Sequence, residues 1–396
     1  MKSERLAAKA VESYVLEIRR GLHSRPELRW KEDGTLSLIK KEFEAIDAKR
    51  GDLSIKDFRG GIAVDLVMGQ GLRTLLFRAD IDAVPVQERT GLAYSSKTEG
   101  VSHACGHDAH TAILMGALKA IAGGSVLAKN NLRFVFQRAE ENPGTEPIPD
   151  SGGKVLVEEG VCDGVSEAYA LHISPIFPPG IFLSCSGQML SSSDKLKISI
   201  LSKGGHVAYP SLTDNPIEVG AQIIRFLKDF MQNNPLPAQP TILVPSIFHA
   251  GRSSNAIPAT AEIWIALRTF LAEDERKELS QLLMQGIRNV AASFGQSEIF
   301  FERILGHPSL WNHPQSFSRV KAILEENGEE VKPFERTFYG EDFSHYLKQC
   351  PGAMWFLGCS REGGGNPHSP DFNPEESIFW KGVLFWILLA TVASEP

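Results

Sequence analysis

TLLFRADI, residues 74–81, is the stretch from which the fold can be read. Its short apolar run, bounded by polar residues, reads as a buried strand, and Asp80 and Asp82 close it. Residues 112–122 follow as a helix, and LRFVFQ (132–137) as a second strand. Residues 154–159 look helical, and AYALHI (168–173) is a third, short strand. Strands alternating with helices imply an α/β sheet covered on both faces.

Farther along the chain the pattern changes. KLKISIL (195–201) alternates as a half-exposed strand does. An amphipathic helix over 217–231 precedes a strand at 260–269, where Ala261, Ile263, Ile265 and Leu267 alternate. A long helix (273–294) and a strand (299–303) complete a compact α+β unit. Helix 314–327, the strand AMWFLG (353–358) and a final helix then resume the first pattern. The expected organisation is one larger domain in two parts, 1–189 and 301–396, interrupted by a smaller one at 190–300.

Composition narrows the function classes. Of 396 residues, 42% are hydrophobic and 22% charged, a globular balance with material for sizeable cores. The net charge of −7 and the lack of a basic stripe give nucleic-acid binding no electrostatic support. The N-terminal stretch reads as an amphipathic helix with Leu6, Val11, Val15, Ile18 and Leu22 near one face, not as a secretory signal. Residues 379–392 are apolar but too short for a comfortable membrane span, so a buried helix is expected. Five widely spaced cysteines argue for a reducing, cytoplasmic setting rather than a disulfide framework.

Chemistry concentrates in HACGHD (103–108), directly before a helix. Cys105 and His107 stand two residues apart in a glycine-containing loop, so thiolate and imidazole can converge on one ion such as zinc. A buried thiol beside a capping histidine, or a Cys-His nucleophilic pair, would use the same residues. Glu140 and Glu141 leave an apolar strand together, a costly arrangement unless a cation uses them. One could bind metal while the other takes a proton from water, and an ordinary acidic loop is the plain alternative. His172 at the end of AYALHI is either a ligand or a satisfied core histidine, and Asp80 and Asp82 are ligand supports or turn formers. Their common placement at the carboxyl ends of successive strands favours a joint metal site.

RADIDAVP (78–85), HACGHDAH (103–110), FQRAEE (136–141), ALHI (170–173), GGHVAYP (204–210), SNAIP (254–258), GEDFSHY (340–346) and HSPDF (368–372) occur in that order. Together they resemble the amidohydrolase subfamily of co-catalytic metallopeptidases that includes hippurate hydrolase, indole-acetyl-amino-acid hydrolases and N-acetyl-diaminopimelate deacetylase. The resemblance implies a zinc-peptidase-like mixed sheet flanked by helices, with a ferredoxin-like inserted domain that dimerises and closes over the site. It implies Cys105, His107, Glu141, His172 and His368 as ligands of two divalent ions, zinc or manganese first and cobalt or nickel as alternatives. Glu140 would be the general base acting on metal-bound water, and Asp82 would orient a ligand. His206 would reach across a homodimer to the oxyanion, and Asn255 and Arg268 would hold the substrate carboxylate. The implied reaction is hydrolysis of N-acyl amino acids or small peptide-like substrates. A non-catalytic binder of such molecules, or a narrow dipeptidase, is the alternative. Four features depart from the usual pattern: Arg138 where proline is common, a long segment at 142–153, Ser211 in place of a frequent histidine, and Ile265 in place of a glycine.

Overall fold

The structure, a computed structural model, describes residues 2–48, 50–51, 53–141, 150–233, 240–295 and 297–393. The chain divides into two compact units, one formed by Met1–Met189, Trp311–Glu335 and Asp342–Pro396, the other by Leu190–Leu310 and Arg336–Glu341.

The first unit begins with helices α1 (Lys2–Ala10), α2 (Glu12–His23) and α3 (Asp33–Asp47). Strands β1 (Leu53–Phe58), β2 (Gly61–Leu66) and β3 (Thr74–Asp80) lead into α4 (His107–Ala122). Then come β4 (Asn131–Gln137), α5 (Gly152–Glu158), β5 (Glu167–Ser174), β6 (Phe182–Ser184) and β7 (Gly187–Leu190). The second unit holds β8 (Asp194–Leu201), β9 (Gly205–His206), α6 (Pro216–Asn233), β10 (Thr241–Ala250), β11 (Ala256–Ile257), β12 (Thr260–Thr269), α7 (Glu273–Ala292) and β13 (Glu298–Ile304). The last elements are β14 (Leu310–Asn312), α8 (Pro314–Glu326), β15 (Val331–Pro333), α9 (Ser344–Leu347), β16 (Gly352–Gly358) and α10 (Phe379–Thr391).

The first unit is built on an eight-stranded mixed sheet, β1-β2-β4-β3-β5-β16-β6-β15. Its centre is parallel: β3 runs with β4 and β5, and β5 with β16. Register aligns Asp80 with Gln137 and Ser174 with Gly358, so the carboxyl ends of these strands share one edge. Apolar runs without alternation make these strands, because both faces are covered. The core contains Phe77 against Trp386 of α10 at 4.8 Å between ring centroids, and Trp355 stacked on Phe317 of α8 at 5.5 Å. Helix α10 is almost wholly buried, as its composition demands, and no helix among the described residues is long and apolar enough to cross a membrane.

The second unit has the order β10-β12-β8-β13, antiparallel throughout, with α6 and α7 in the connections. Strand, helix, strand, strand, helix, strand in that order is the ferredoxin-like pattern. Its core is formed by Leu196, Ile198 and Ile200 of β8 with Ile263 and Ile265 of β12, under Ile223 and Ile287 of the two helices. Ile265 is therefore a core residue. Strand β13 spans residue 300, and the unit continues to Leu310.

Two of the departures from the sequence reading have a clear local cause. The N-terminal helix breaks at Val11 (φ −102°, ψ 5°), which shifts its phase. Leu6 is consequently 66% exposed, while Ala7 and Ala8 turn inward and Val11, Val15, Ile18 and Leu22 stay buried. Sequence periodicity also finds only three strands in the inserted unit. The fourth, β10, carries Pro245 and a register shift between Pro245 and Ile247, which hides its alternation. Proline and bulges belong on edge strands, which is where β10 lies.

Candidate metal centre

Three segments deliver the site to the carboxyl edge of the parallel strands. Gly106 caps α4 with φ 93°, and a Cβ there would meet Ile173 Cδ1 at 2.7 Å. Only glycine fits both demands, and the resulting tight entry places Cys105 and His107 on either side of it. Beyond β4, Ala139 adopts φ 50°, a left-handed conformation uncommon for a residue with a side chain. It turns Glu140 and Glu141 off the strand. His368, also left-handed at φ 60°, is tied by its N–H to Ala104 O at 2.8 Å. Two such strained residues flanking one cluster mark a place where the surroundings over-determine the backbone.

The donor atoms converge. Ligating atoms of Cys105, His107 and His172 lie within 4.8 Å of one another, as do those of Cys105, Glu141 and His368, and those of His107, Glu140 and Glu141. Cys105 Sγ is 3.7 Å from His172 Nε2, and His368 Nε2 is 2.8 Å from Glu141 Oε1. The histidine tautomers follow from their other contacts. His107 Nδ1 donates to Asp82 Oδ1 at 3.0 Å, leaving its Nε2 buried and without a hydrogen bond among the described residues. His172 Nδ1 donates to Ile173 O at 2.5 Å, which turns its Nε2 lone pair toward Cys105.

His110 is different, although it lies beside Asp80 and His107. Its Nδ1 donates to Asp80 Oδ1 at 2.6 Å and its Nε2 accepts the Ile173 N–H at 2.9 Å. Both nitrogens are spent, so His110 braces the site rather than offering a lone pair. Asp82 has the same supporting character: its second oxygen accepts the Glu141 N–H at 2.9 Å. Beneath them, Arg78 bridges Asp80 at 2.6 Å and Asp342 at 2.7 Å, and Asp342 also accepts from Gln137 and from the Gly153 N–H.

The electrostatics of this cluster call for a cation. Burial, reinforced by Glu141, pushes the Cys105 thiol up to about 12, so a thiolate there needs positive charge beside it. Burial works against a charged His107, but Asp80 and Cys105 outweigh it and raise its pKa. Burial holds His172 well below the usual imidazole range, with His110 adding to the effect, so its Nε2 is an open lone pair. Burial also opposes the Glu141 charge, yet His368 and His107 bring its pKa down. Thiol, imidazole and carboxylate donors in one partly buried group, with the His107 Nε2 lacking a hydrogen bond among the described residues, fit a first-row divalent metal.

A model of peptidase family M20/M25/M40 matches residues 76–391. The chain belongs to this family. It is 31% identical over 390 residues to thermostable carboxypeptidase 1 of Saccharolobus solfataricus, covering 96% of this chain and 95% of that protein. It is 30% identical over 393 residues to N-acetylcysteine deacetylase of Bacillus subtilis, covering 98% and 99%. Among solved structures, the Bacillus subtilis YXEP protein, a dinuclear metal binding peptidase from the M20 family, superposes with a TM-score of 0.80 at 28% identity, covering 96% and 98%.

As a member of the M20 family the chain is a metal-dependent hydrolase. The first unit brings together eight of the site residues singled out in the sequence: Asp80, Asp82, Cys105, His107, Glu140, Glu141, His172 and His368. The other three lie in the second unit. His206 is exposed on β9 and pairs with Ala256, next to Asn255, whose carbonyl accepts the Val207 N–H at 3.3 Å. Arg268 is on β12, where a Cβ on Gly340 would approach its Nη1 to 2.7 Å. Ser211 lies exposed in a 3-10 turn, and residues 142–149 of the long segment fall outside the described residues. Sequence reading missed Glu32. This wholly buried carboxylate, pushed up to about 7 by burial and then by Asp82, accepts the Ala139 N–H. In sequence, Glu32-Asp33 reads only as an acidic helix start.

Proposed function

We propose that this chain hydrolyses the amide bond of N-acyl amino acids or short peptides, with Glu140 as the general base. The observation carrying this reading is the convergence of Cys105, His107, Glu141, His172 and His368 beside Glu140, with the His107 Nε2 left over for a ligand. These five residues would hold two divalent ions, zinc or manganese first. Bound there, the ions would polarise the scissile carbonyl and offset the negative charge that develops on its oxygen. Glu140 takes the proton of the attacking water and returns it to the leaving amine, one carboxylate serving both steps. Asp82 keeps His107 in the tautomer that offers Nε2. The names of the two relatives, a carboxypeptidase and an N-acetylcysteine deacetylase, both describe amide cleavage that frees an amino acid.

A thiol mechanism through Cys105 is disfavoured, because nucleophilic cysteines work through a depressed pKa and burial raises this one. In the second unit we assign His206 to the oxyanion, and Asn255 and Arg268 to the substrate carboxylate, a fitting partner for a guanidinium fork. We further assign that unit to a homodimer interface. Its edge strand β10 exposes Val244 (47%) and Ile247 (39%), apolar side chains a second copy would cover. Five free cysteines suit the reducing cytoplasm.

The test is a panel of N-acyl amino acids and dipeptides given to metal-stripped protein, with manganese, zinc or cobalt returned and Glu140→Gln run in parallel. Metal-dependent release of amino acid, lost in the variant while metal still binds, is expected. Turnover that survives Glu140→Gln, or that needs no metal, would overturn the reading.

A further inference from the structure

Arg138 is the residue before the turn that carries Glu140 and Glu141, and its contacts are specific. Its Nε donates to Glu32 Oε2 at 2.9 Å and its Nη2 reaches Asp33 Oδ1 at 3.0 Å. The guanidinium carbon lies 6.0 Å from the centroid of the Trp30 ring. Glu32 is 0% exposed, and its other oxygen, Oε1, accepts the N–H of Ala139 at 2.8 Å. That N–H belongs to the left-handed residue from which Glu140 and Glu141 depart.

The turn is held at other points too. The Arg138 N–H donates to Gly60 O at 2.9 Å, and Ala139 O accepts the Gly152 N–H at 3.1 Å. Those contacts fix the chain on either side of the Ala139 N–H, and among the described residues it is Glu32 that accepts that N–H. A left-handed alanine is disfavoured relative to the ordinary helical or extended regions, so it persists only where its neighbours enforce it. A carboxylate wholly buried near Asp82 is itself unfavourable without a cation, and Arg138 is the cation in contact with it.

We propose that Arg138 is a positioning residue of this hydrolase: it fixes the Glu32 carboxylate under the Ala139 N–H and thereby sets the direction in which Glu140 and Glu141 leave β4. The pair acts on the reaction only through the turn. Arg138 therefore influences how well the base is aimed and not how substrate is held. This role rests on Glu140 being the base, as proposed above, and the experiment has one arm that does not depend on turnover.

That arm is amide hydrogen exchange of the segment containing Ala139 in metal-free protein, for the wild type, Arg138→Gln and Arg138→Lys. The second arm is kcat and KM on whichever N-acyl amino acid the wild type cleaves. In Arg138→Gln the Ala139 amide exchanges about tenfold faster, as loss of a charge-assisted hydrogen bond implies. In the same variant kcat falls about tenfold with KM within about twofold, the signature of a misaimed group. Arg138→Lys, which keeps one charged contact to Glu32, recovers most of both. Unchanged exchange in Arg138→Gln overturns the proposal, as does a raised KM at constant kcat, which would make Arg138 a substrate contact. Equal losses in the lysine and glutamine variants would reduce it to bulk stability. If Arg138→Gln fails to fold, Glu32→Gln carries the same exchange test, because it removes the acceptor charge directly. A wild type without metal-dependent turnover would sink the functional reading alone and leave the exchange arm to decide the role of Arg138.

Discussion

Asp82→Asn should separate holding a metal from holding the fold. Asp82 accepts two hydrogen bonds on two oxygens, from His107 Nδ1 at 3.0 Å and from the Glu141 N–H at 2.9 Å. Asparagine keeps the shape but has one acceptor oxygen, so its amide nitrogen must face one of those donors. An unmatched buried donor costs about 1 to 3 kcal/mol, and the surviving bond loses its charge assistance. In the metal-free protein another effect opposes this loss. Burial raises the Asp82 pKa despite the His107 hydrogen bond. An acid whose folded pKa lies above its unfolded value destabilises the fold once ionised, so at pH 7 removing the charge returns stability. The two effects oppose each other, so the metal-free variant should lose less stability than the lost hydrogen bond alone implies, a drop of a few degrees in melting at most. Metal affinity has no such compensation, since one of His107 and Glu141 loses its hydrogen bond and the other is held only by a neutral one. It should fall about 10- to 100-fold. The assay is competition with a chromogenic chelator, run beside thermal melts of stripped protein. An affinity within threefold of wild type, or stripped protein that melts far lower, would refute this reasoning.

Three further outcomes follow from the packing and the charges. Burial opposes the Glu88 charge, but contacts from His23, Thr90 and the Ser96 N–H hold its pKa down at about 2, against 4.5 for a free glutamate. Because the folded value is the lower one, this contribution is full above pH 4.5 and fades as pH falls toward 2. Urea midpoints should drop across that window in wild type and less steeply in Glu88→Gln, and parallel slopes would rule the contribution out. Trp355→Ala removes a side chain of 0% exposure stacked on Phe317, and should cost about 3 to 5 kcal/mol in urea unfolding. A loss below about 1 kcal/mol would mean the core refills around it. Gly152→Ala would place a Cβ 1.7 Å from Arg138 O, forcing the turn before Glu140 to move. Turnover should fall more than about tenfold, and wild-type activity in that variant would show that the turn tolerates displacement.

Much of the architecture was legible because it is written in local pattern. Largely apolar runs without alternation mark β3, β4, β5 and β16, and alternation marks β8 and β12, since burial on two faces or one dictates those periods. Strand β10 escaped because Pro245 and its bulge break the period. The hairpin β1–β2 escaped as well: β1 is largely exposed, so no apolar face announces it. At the site, Cys105 and His107 declared themselves by adjacency and Glu140-Glu141 by two charges at a strand end. His368 entered only through family resemblance, being 227 positions from the Glu141 it contacts.

What the sequence determined by itself was the kind of chemistry: which donor types exist, and which loops and strand ends carry them. Tertiary structure alone decided the state of each donor. His107 and His110 lie three residues apart in one motif, yet one keeps a free ring nitrogen and the other has none. The difference arises because β3 and β5 supply His110 with Asp80 and the Ile173 N–H, whereas among the described residues His107 hydrogen-bonds Asp82 through Nδ1 and leaves Nε2 without a partner. Likewise Arg138 meets Glu32 across 106 positions. A side chain's capacity to bind or position is set by which of its hydrogen-bonding atoms remain unsatisfied, and that depends on partners brought close only when the chain has folded.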